Sequence, residues 1–236
     1  MNPTIARLAF RALVGGWRGI VLIALPVLLV LLAGLLRGLT GEPVEPDLVM
    51  VEVGLALVVP LVALLAANGV LGPEIDDGSV VYLLSTPVSR YAVAASKYLV
   101  AGGIAALVSV VGLLAASLAG GLDGEWLLVS LVTGGVGALL YTALFTAFSA
   151  ATRHGMIAGL LYITVLEGLL GRLLTGLRYV SVRSVAERLG EAASGVDLGG
   201  QDLSLTYALI ASAVLLVVGV GAAGWRLQRF QLRGDE

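Results

Sequence analysis

The sequence predicts an all-α polytopic membrane protein. Six helical spans form a single domain over 1–236, with an interfacial helix ahead of them and a short cytoplasmic helix between the second and third spans. Three features lead there. The 236 residues are 58% hydrophobic and only 13% charged, whereas a soluble domain is roughly a quarter charged; mean hydropathy is +1.01. Six apolar runs, 19–36, 49–71, 91–118, 126–150, 155–174 and 205–225, have the roughly 17–25 residues or more that cross hydrocarbon. The longest polar interval, 172–204, is shorter than the roughly 50 residues of a small independent domain, so no soluble catalytic domain fits.

At the start of the chain, Arg7, Arg11 and Arg18 fall on one arc at about 100° per residue, with Ile5, Leu8, Ala9, Ala12 and Leu13 largely opposite. That pattern predicts an amphipathic helix over 1–18 lying on the inner leaflet, bent from the first span at Gly15 and Gly16. The first run is too long for a signal-peptide core and leads into Arg37 and five further runs, which reads as an uncleaved span. Pro26 in this span and Pro60 in the second each remove a backbone donor and predict a bend. The second span also carries Glu52 near one end and Asn68 near the other. An intramembrane carboxylate is a functional candidate by default, but so close to the end Glu52 is expected to snorkel to the interface. Asn68 is expected to bond to a neighbouring helix.

After Gly72 and Pro73, expected to break the second helix, comes the stretch 74–90. Glu74, Asp76 and Asp77 would each cost about 2.5–3.5 kcal/mol in hydrocarbon, so this stretch belongs in or below the inner headgroups. The carboxylates suit the N-terminus of a short helix over 72–90, with Val80, Val81, Leu83 and Leu84 as apolar contacts, Pro87 as its end and Ser89 as N-cap of the third span. An ordinary connector between spans is the plain alternative.

In the fourth run Gly134, Ala138, Thr142, Thr146 and Ala150 recur every four residues, a smooth stripe for close helix packing with hydroxyls able to bond across helices. His154 follows, beside Arg153, in a short inner loop. Tyr162 and Glu167 lie in the fifth run, Glu167 in its outer part and again expected to snorkel. In 172–204 the Ser184–Glu187 spacing is that of a capping box, predicting short helices on the outer face. Arg7, Arg11, Arg18, Arg90, Lys97, Arg153, Arg226, Arg229 and Arg233 fall on one side of this topology; Arg37, Arg172, Arg178, Arg183 and Arg188 fall on the other. Short basic loops mark the cytoplasm, so both termini are placed inside a plasma membrane, and the Arg-, Ala- and Gly-rich composition suggests a bacterial source.

Composition also excludes functions. A net charge of −2 argues against nucleic acid as a partner. With no cysteine, one histidine and methionines only at Met1, Met50 and Met156, no metal-ligand cluster can be drawn. No GxxxxGK[ST] phosphate loop occurs, so the chain carries no nucleotide motif of its own.

Gly78-Ser79, Leu83-Leu84-Ser85, Pro87-Val88-Ser89-Arg90 and Lys97, preceded by Glu74, resemble the pattern of ABC type-2 exporter permeases, with Ser79 where threonine is commoner. The overall layout is similar too. The resemblance implies that 72–90 is a coupling helix docking on a cytoplasmic ATPase, through Glu74, Asp76, Asp77, Gly78, Leu83, Leu84, Pro87 and Arg90. It implies two ATPase subunits carrying ATP and Mg, with no cofactor on this chain, and a second permease copy, homodimeric or related. It further implies a central substrate path formed by opposed spans of the two copies, often the second and fifth, near Asn68, Tyr162 and Glu167. No span interior carries an obvious cation for an anionic cargo, which points to an amphiphilic or apolar substrate. A proton-coupled secondary transporter using Glu52 or Glu167 is the alternative, although the chain shows no convincing inverted repeat. An intramembrane protease is disfavoured because His154 lies too near the inner surface.

Overall fold

A computed structural model describes residues 13, 17–76, 89–152, 154–171, 176, 179–198 and 203–228; of Trp17, Arg18 and 71–76 it describes the backbone alone. These residues form seven helices and, among themselves, no strand. Helix α1 is Trp17–Thr40. Helix α2 starts as a wide-turn stretch, Asp47–Val58, and continues as a regular helix, Val59–Asp76. Helices α3 (Arg90–Gly120) and α4 (Gly124–Ala151) follow. Helix α5 is regular over Gly155–Leu161 and wide-turned over Tyr162–Leu170. Helix α6 is Val182–Ser194, and α7 is Leu205–Gln228.

Five of these helices, α1, α2, α3, α4 and α7, are long and apolar enough to cross a membrane. The described part of α5, Gly155–Leu170, is apolar but shorter. Short turns make neighbouring helices antiparallel and give the bundle two ends. At the upper end the Val44 N–H donates to the Gly120 carbonyl, and Gly121, with φ of 78°, closes α3 in the left-handed conformation that favours glycine. Asp76, Arg90, Ala151 and Gln228 lie at the lower end.

Helix α4 is the hub, packed against α2, α3, α5, α6 and α7. Its stripe Gly134, Ala138, Thr142, Thr146 and Ala150 is buried throughout, as the four-residue spacing predicts. The Thr142 and Thr146 hydroxyls do not bond across helices, however. Each donates to the carbonyl four residues earlier, on Ala138 and Thr142, which satisfies the hydroxyl within its own helix and leaves the surface smooth. Close approach does the rest. A Cβ on Gly112 would come within 2.3 Å of the Pro26 side chain, and one on Gly219 within 2.7 Å of the Ala143 carbonyl oxygen. Helices this close gain dispersion contacts that lipid cannot supply.

Two local expectations are corrected. Gly72 and Pro73 do not break the second helix, which runs on to Asp76. A proline inside a helix forfeits one hydrogen bond and crowds the preceding turn, but the ladder resumes beyond it. Glu74 and Asp76 therefore sit in the last turns of α2 rather than at the start of a separate helix. Secondly, the widening of α2 ends just before Pro60: the last i→i+5 bond runs from the Val59 N–H to the Gly54 carbonyl. Pro60 has no N–H to continue either ladder, so the change of winding falls where a bond is lost in any case.

Candidate functional site: a carboxylate and arginine cluster at the upper end

The polar side chains that converge in this bundle do so where the wide-turn stretches of α2 and α5 meet the start of α6. Helix α6 begins after Ser181, whose hydroxyl accepts from the Ser184 N–H at 3.3 Å as an N-cap. The expected Ser184–Glu187 capping box is thus replaced by a cap three residues earlier. Glu187 is taken instead by Arg183, whose Nε donates to it at 2.6 Å one helical turn away.

Glu167, on α5, is only 6% exposed. Its Oε1 accepts from the Val182 and Arg183 backbone N–H groups at 3.0 and 3.2 Å, from the Tyr162 hydroxyl at 3.1 Å and from the Ser181 hydroxyl at 3.4 Å. Its Oε2 accepts from the Tyr141 hydroxyl of α4. The expectation that Glu167 snorkels is therefore wrong. The carboxylate faces inward because the first turn of α6 offers N–H donors and a positive dipole end there. Tyr162 is held beside it by edge contacts with Phe145 and Phe148, at ring separations of 6.1 and 6.2 Å.

Glu52, on α2, does reach the rim, with its side chain 39% exposed, but it is ion-paired: Arg183 Nη2 lies 3.0 Å from its Oε1. Arg183 thus touches both wide-turn stretches, one through its guanidinium and the other through its backbone N–H. Burial works against its charge, but Glu187 and Glu52 outweigh that and hold the guanidinium protonated above its ordinary range. Burial pushes the Glu187 carboxyl up to about 7, against the pull of Arg183. Further along α6, Arg188 pairs with Glu191 at 3.3 Å, and Glu191 accepts from the Leu198 N–H at 3.0 Å, which ties down the turn after Gly195.

At the lower end, Lys97 of α3 is 2% exposed, and its Nζ donates to the Val70 carbonyl of α2 at 3.1 Å. That bond fastens together the two helices on either side of the 77–88 segment. Ser89 occupies the N-cap position of α3 as expected, but its side chain makes no capping bond.

A family model described as ABC-2 family transporter protein matches residues 17–167. The chain belongs to the ABC-2 transporter family. The matched stretch starts with the first residue of α1 and ends at position 167, so it covers α1 to α4 and most of α5, whereas α6 and α7 lie beyond it. No curated protein matches the chain. Membership makes this ABC-2 chain a multi-pass membrane protein and an ABC-type transmembrane permease component.

Within the ABC-2 chain, the structure brings Tyr162 and Glu167 together, but not Asn68. Asn68 is half-buried lower on α2 and makes no hydrogen bond among the described residues. Of the coupling residues, Arg90 opens α3, while Glu74 and Asp76 lie on the α2 backbone. Asp77, Gly78, Leu83, Leu84 and Pro87 fall outside the described residues, as does most of the expected 1–18 interfacial helix. Its Leu13 is described, and it is buried against Gly69 of α2. Sequence reasoning missed Tyr141, Ser181 and Arg183. Only Arg183 left a signal there, an arginine four residues ahead of Glu187.

Proposed function

We propose that this chain is the permease subunit of an ATP-driven exporter, working with two copies of a separate cytoplasmic ATPase and with a second permease copy. The family match over 17–167 carries the reading. In this arrangement the lower end faces the cytoplasm of a bacterial cell, both termini are inside, and α6 lies on the outer face. The sixth crossing is assigned to the apolar run 155–174, whose described part is α5. ATP and Mg belong to the ATPase subunits. The substrate is amphiphilic or apolar, a reading supported by the low charge content of the spans.

Coupling is assigned to 72–90, through Glu74, Asp76, Asp77, Gly78, Leu83, Leu84, Pro87 and Arg90. The segment leaves α2 and returns to α3 at helix ends that Lys97 clamps together. A push from the ATPase on that segment is thus delivered to two spans at once. Proton-coupled transport through Glu167 is not favoured, because its carboxylate is engaged by five donors and by the α6 dipole.

The test is transport by vesicles containing chain and ATPase. Loss of transport when the ATPase phosphate-loop lysine is replaced supports the reading. Transport by the chain alone that an uncoupler abolishes overturns it.

A further inference from the structure

Helix α6 is held by two kinds of contact. Towards α4 it is close-packed and apolar: a Cβ on Gly190 would come within 2.5 Å of the Thr133 methyl, and one on Gly137 would lie 3.6 Å from the Ala186 side chain. Towards α2 and α5 it is held by charge: Arg183 on Glu52 at 3.0 Å, and the Val182 and Arg183 N–H groups on Glu167. Towards α7 it borders an apolar groove of about 380 Å³, walled by Val182, Val185, Tyr207, Ile210 and Val214. Smooth small-residue packing has no alternative partner and stays fixed. An ion pair with one carboxylate 39% exposed can exchange its partner for water at modest cost. Moreover, Arg183 bears on the two stretches of the bundle wound in wide turns, Asp47–Val58 and Tyr162–Leu170, which are in contact with each other. Such turns occur mostly as short bulges at functional sites, and rewinding them to ordinary helix rotates whatever lies beyond.

We infer that Arg183 is a positioning residue for transport: with α6 anchored on α4, it latches the upper halves of α2 and α5 together, and the bundle opens at that end when the Glu52–Arg183 pair parts. This rests on the permease reading above for its meaning, but not for its test.

The chain contains no cysteine, so a single thiol can report opening. Ile163→Cys, 4% exposed in the wide-turn part of α5, senses the upper end; Ala67→Cys, 1% exposed lower on α2, is the control. The chain alone in nanodiscs is treated with a membrane-impermeant maleimide. Arg183→Gln and Glu52→Gln should each raise the labelling rate at position 163 about three- to fivefold, the change expected from losing a partly exposed ion pair. The double variant should add little to either, as expected for two partners of one contact. Arg183→Lys, which retains a charge for Glu52, should return the rate to within about 1.5-fold of the parent, a rescue that a merely bulky arginine would not give. Position 67 should stay unlabelled. An unchanged rate at position 163, strictly additive single effects, or a parallel rise at position 67 overturns the latch. Failure to co-purify an ATPase would overturn the permease reading while leaving these labelling results standing.

Discussion

Glu52 and Glu167 sit at the same end of the bundle and meet the same residue, yet their removal should cost different amounts. Glu167 is 6% exposed and satisfies backbone N–H groups that have no other acceptor in the first turn of α6. Glu167→Gln can keep its carbonyl oxygen on the α6 N–H groups but replaces a charged acceptor by an NH2 against the Tyr141 hydroxyl, and should destabilise the protein by about 1–3 kcal/mol. Glu52→Gln breaks a half-exposed pair and should cost under about 1 kcal/mol. Thermal unfolding of both variants in detergent checks the contrast. Glu187 adds a pH dependence. Its folded carboxyl, raised by burial from 4.5 to about 7, holds its proton more tightly than in the unfolded chain. Its contribution to stability is thus greatest below about pH 4.5 and is lost as pH rises through about 7, amounting to at most about 3 kcal/mol. Melting curves from pH 5 to 8 should show this downward slope in the parent and a flatter one in Glu187→Gln. Of these partnerships only Arg183 with Glu187, four residues apart, left a trace in the sequence. Arg183 lies 131 residues from Glu52, and Ser181 and Ser184 are equally good caps until the fold decides which one meets Glu167.

At the scale of elements, the apolar runs were legible because hydrocarbon tolerates little else over about 20 residues. The positions of α1 to α4 and α7 follow those runs to within a few residues. The winding of the helices was not legible. Nothing in the composition of 47–58 or 162–170 distinguishes wide turns from regular ones, and Pro73 read as a stop although α2 continues to Asp76. The stripe from Gly134 to Ala150 predicted close packing on the fourth run, but the structure says which glycines of other helices share in it. On α7, Gly219 lies against the Ala143 backbone, whereas Gly221 has nothing within 4 Å. Gly219→Ala must force α7 off α4 and should cost about 1–3 kcal/mol. Gly221→Ala, two residues along the same helix, should be neutral or stabilising by up to about 1 kcal/mol. Paired melting curves test whether α7 is seated by that one contact.

For the whole molecule, the charged side chains of the described residues gather towards the two ends of the bundle, and the permease reading proposed above would give each end a use. The upper cluster joins α2, α4, α5 and α6 where substrate would leave, and Lys97 joins α2 and α3 where an ATPase would push. In the proposed topology, single cysteines at Leu39 and Tyr179 react from the outer side of intact cells and one at His154 only after permeabilisation, all three positions being exposed. Labelling of Leu39→Cys from outside, with Tyr179→Cys reacting, like His154→Cys, only after permeabilisation, would remove the sixth crossing. In the reading proposed above, the engine is another chain, bound through 72–90. Affinity purification of the tagged permease from membranes that also contain its cognate ATPase, for the parent and for the Glu74→Lys, Asp77→Lys double variant, decides this. An ATPase should accompany the parent in equal amount and be lost from a double variant that still inserts normally. An ATPase absent from the parent, or retained undiminished by the double variant, overturns the reading.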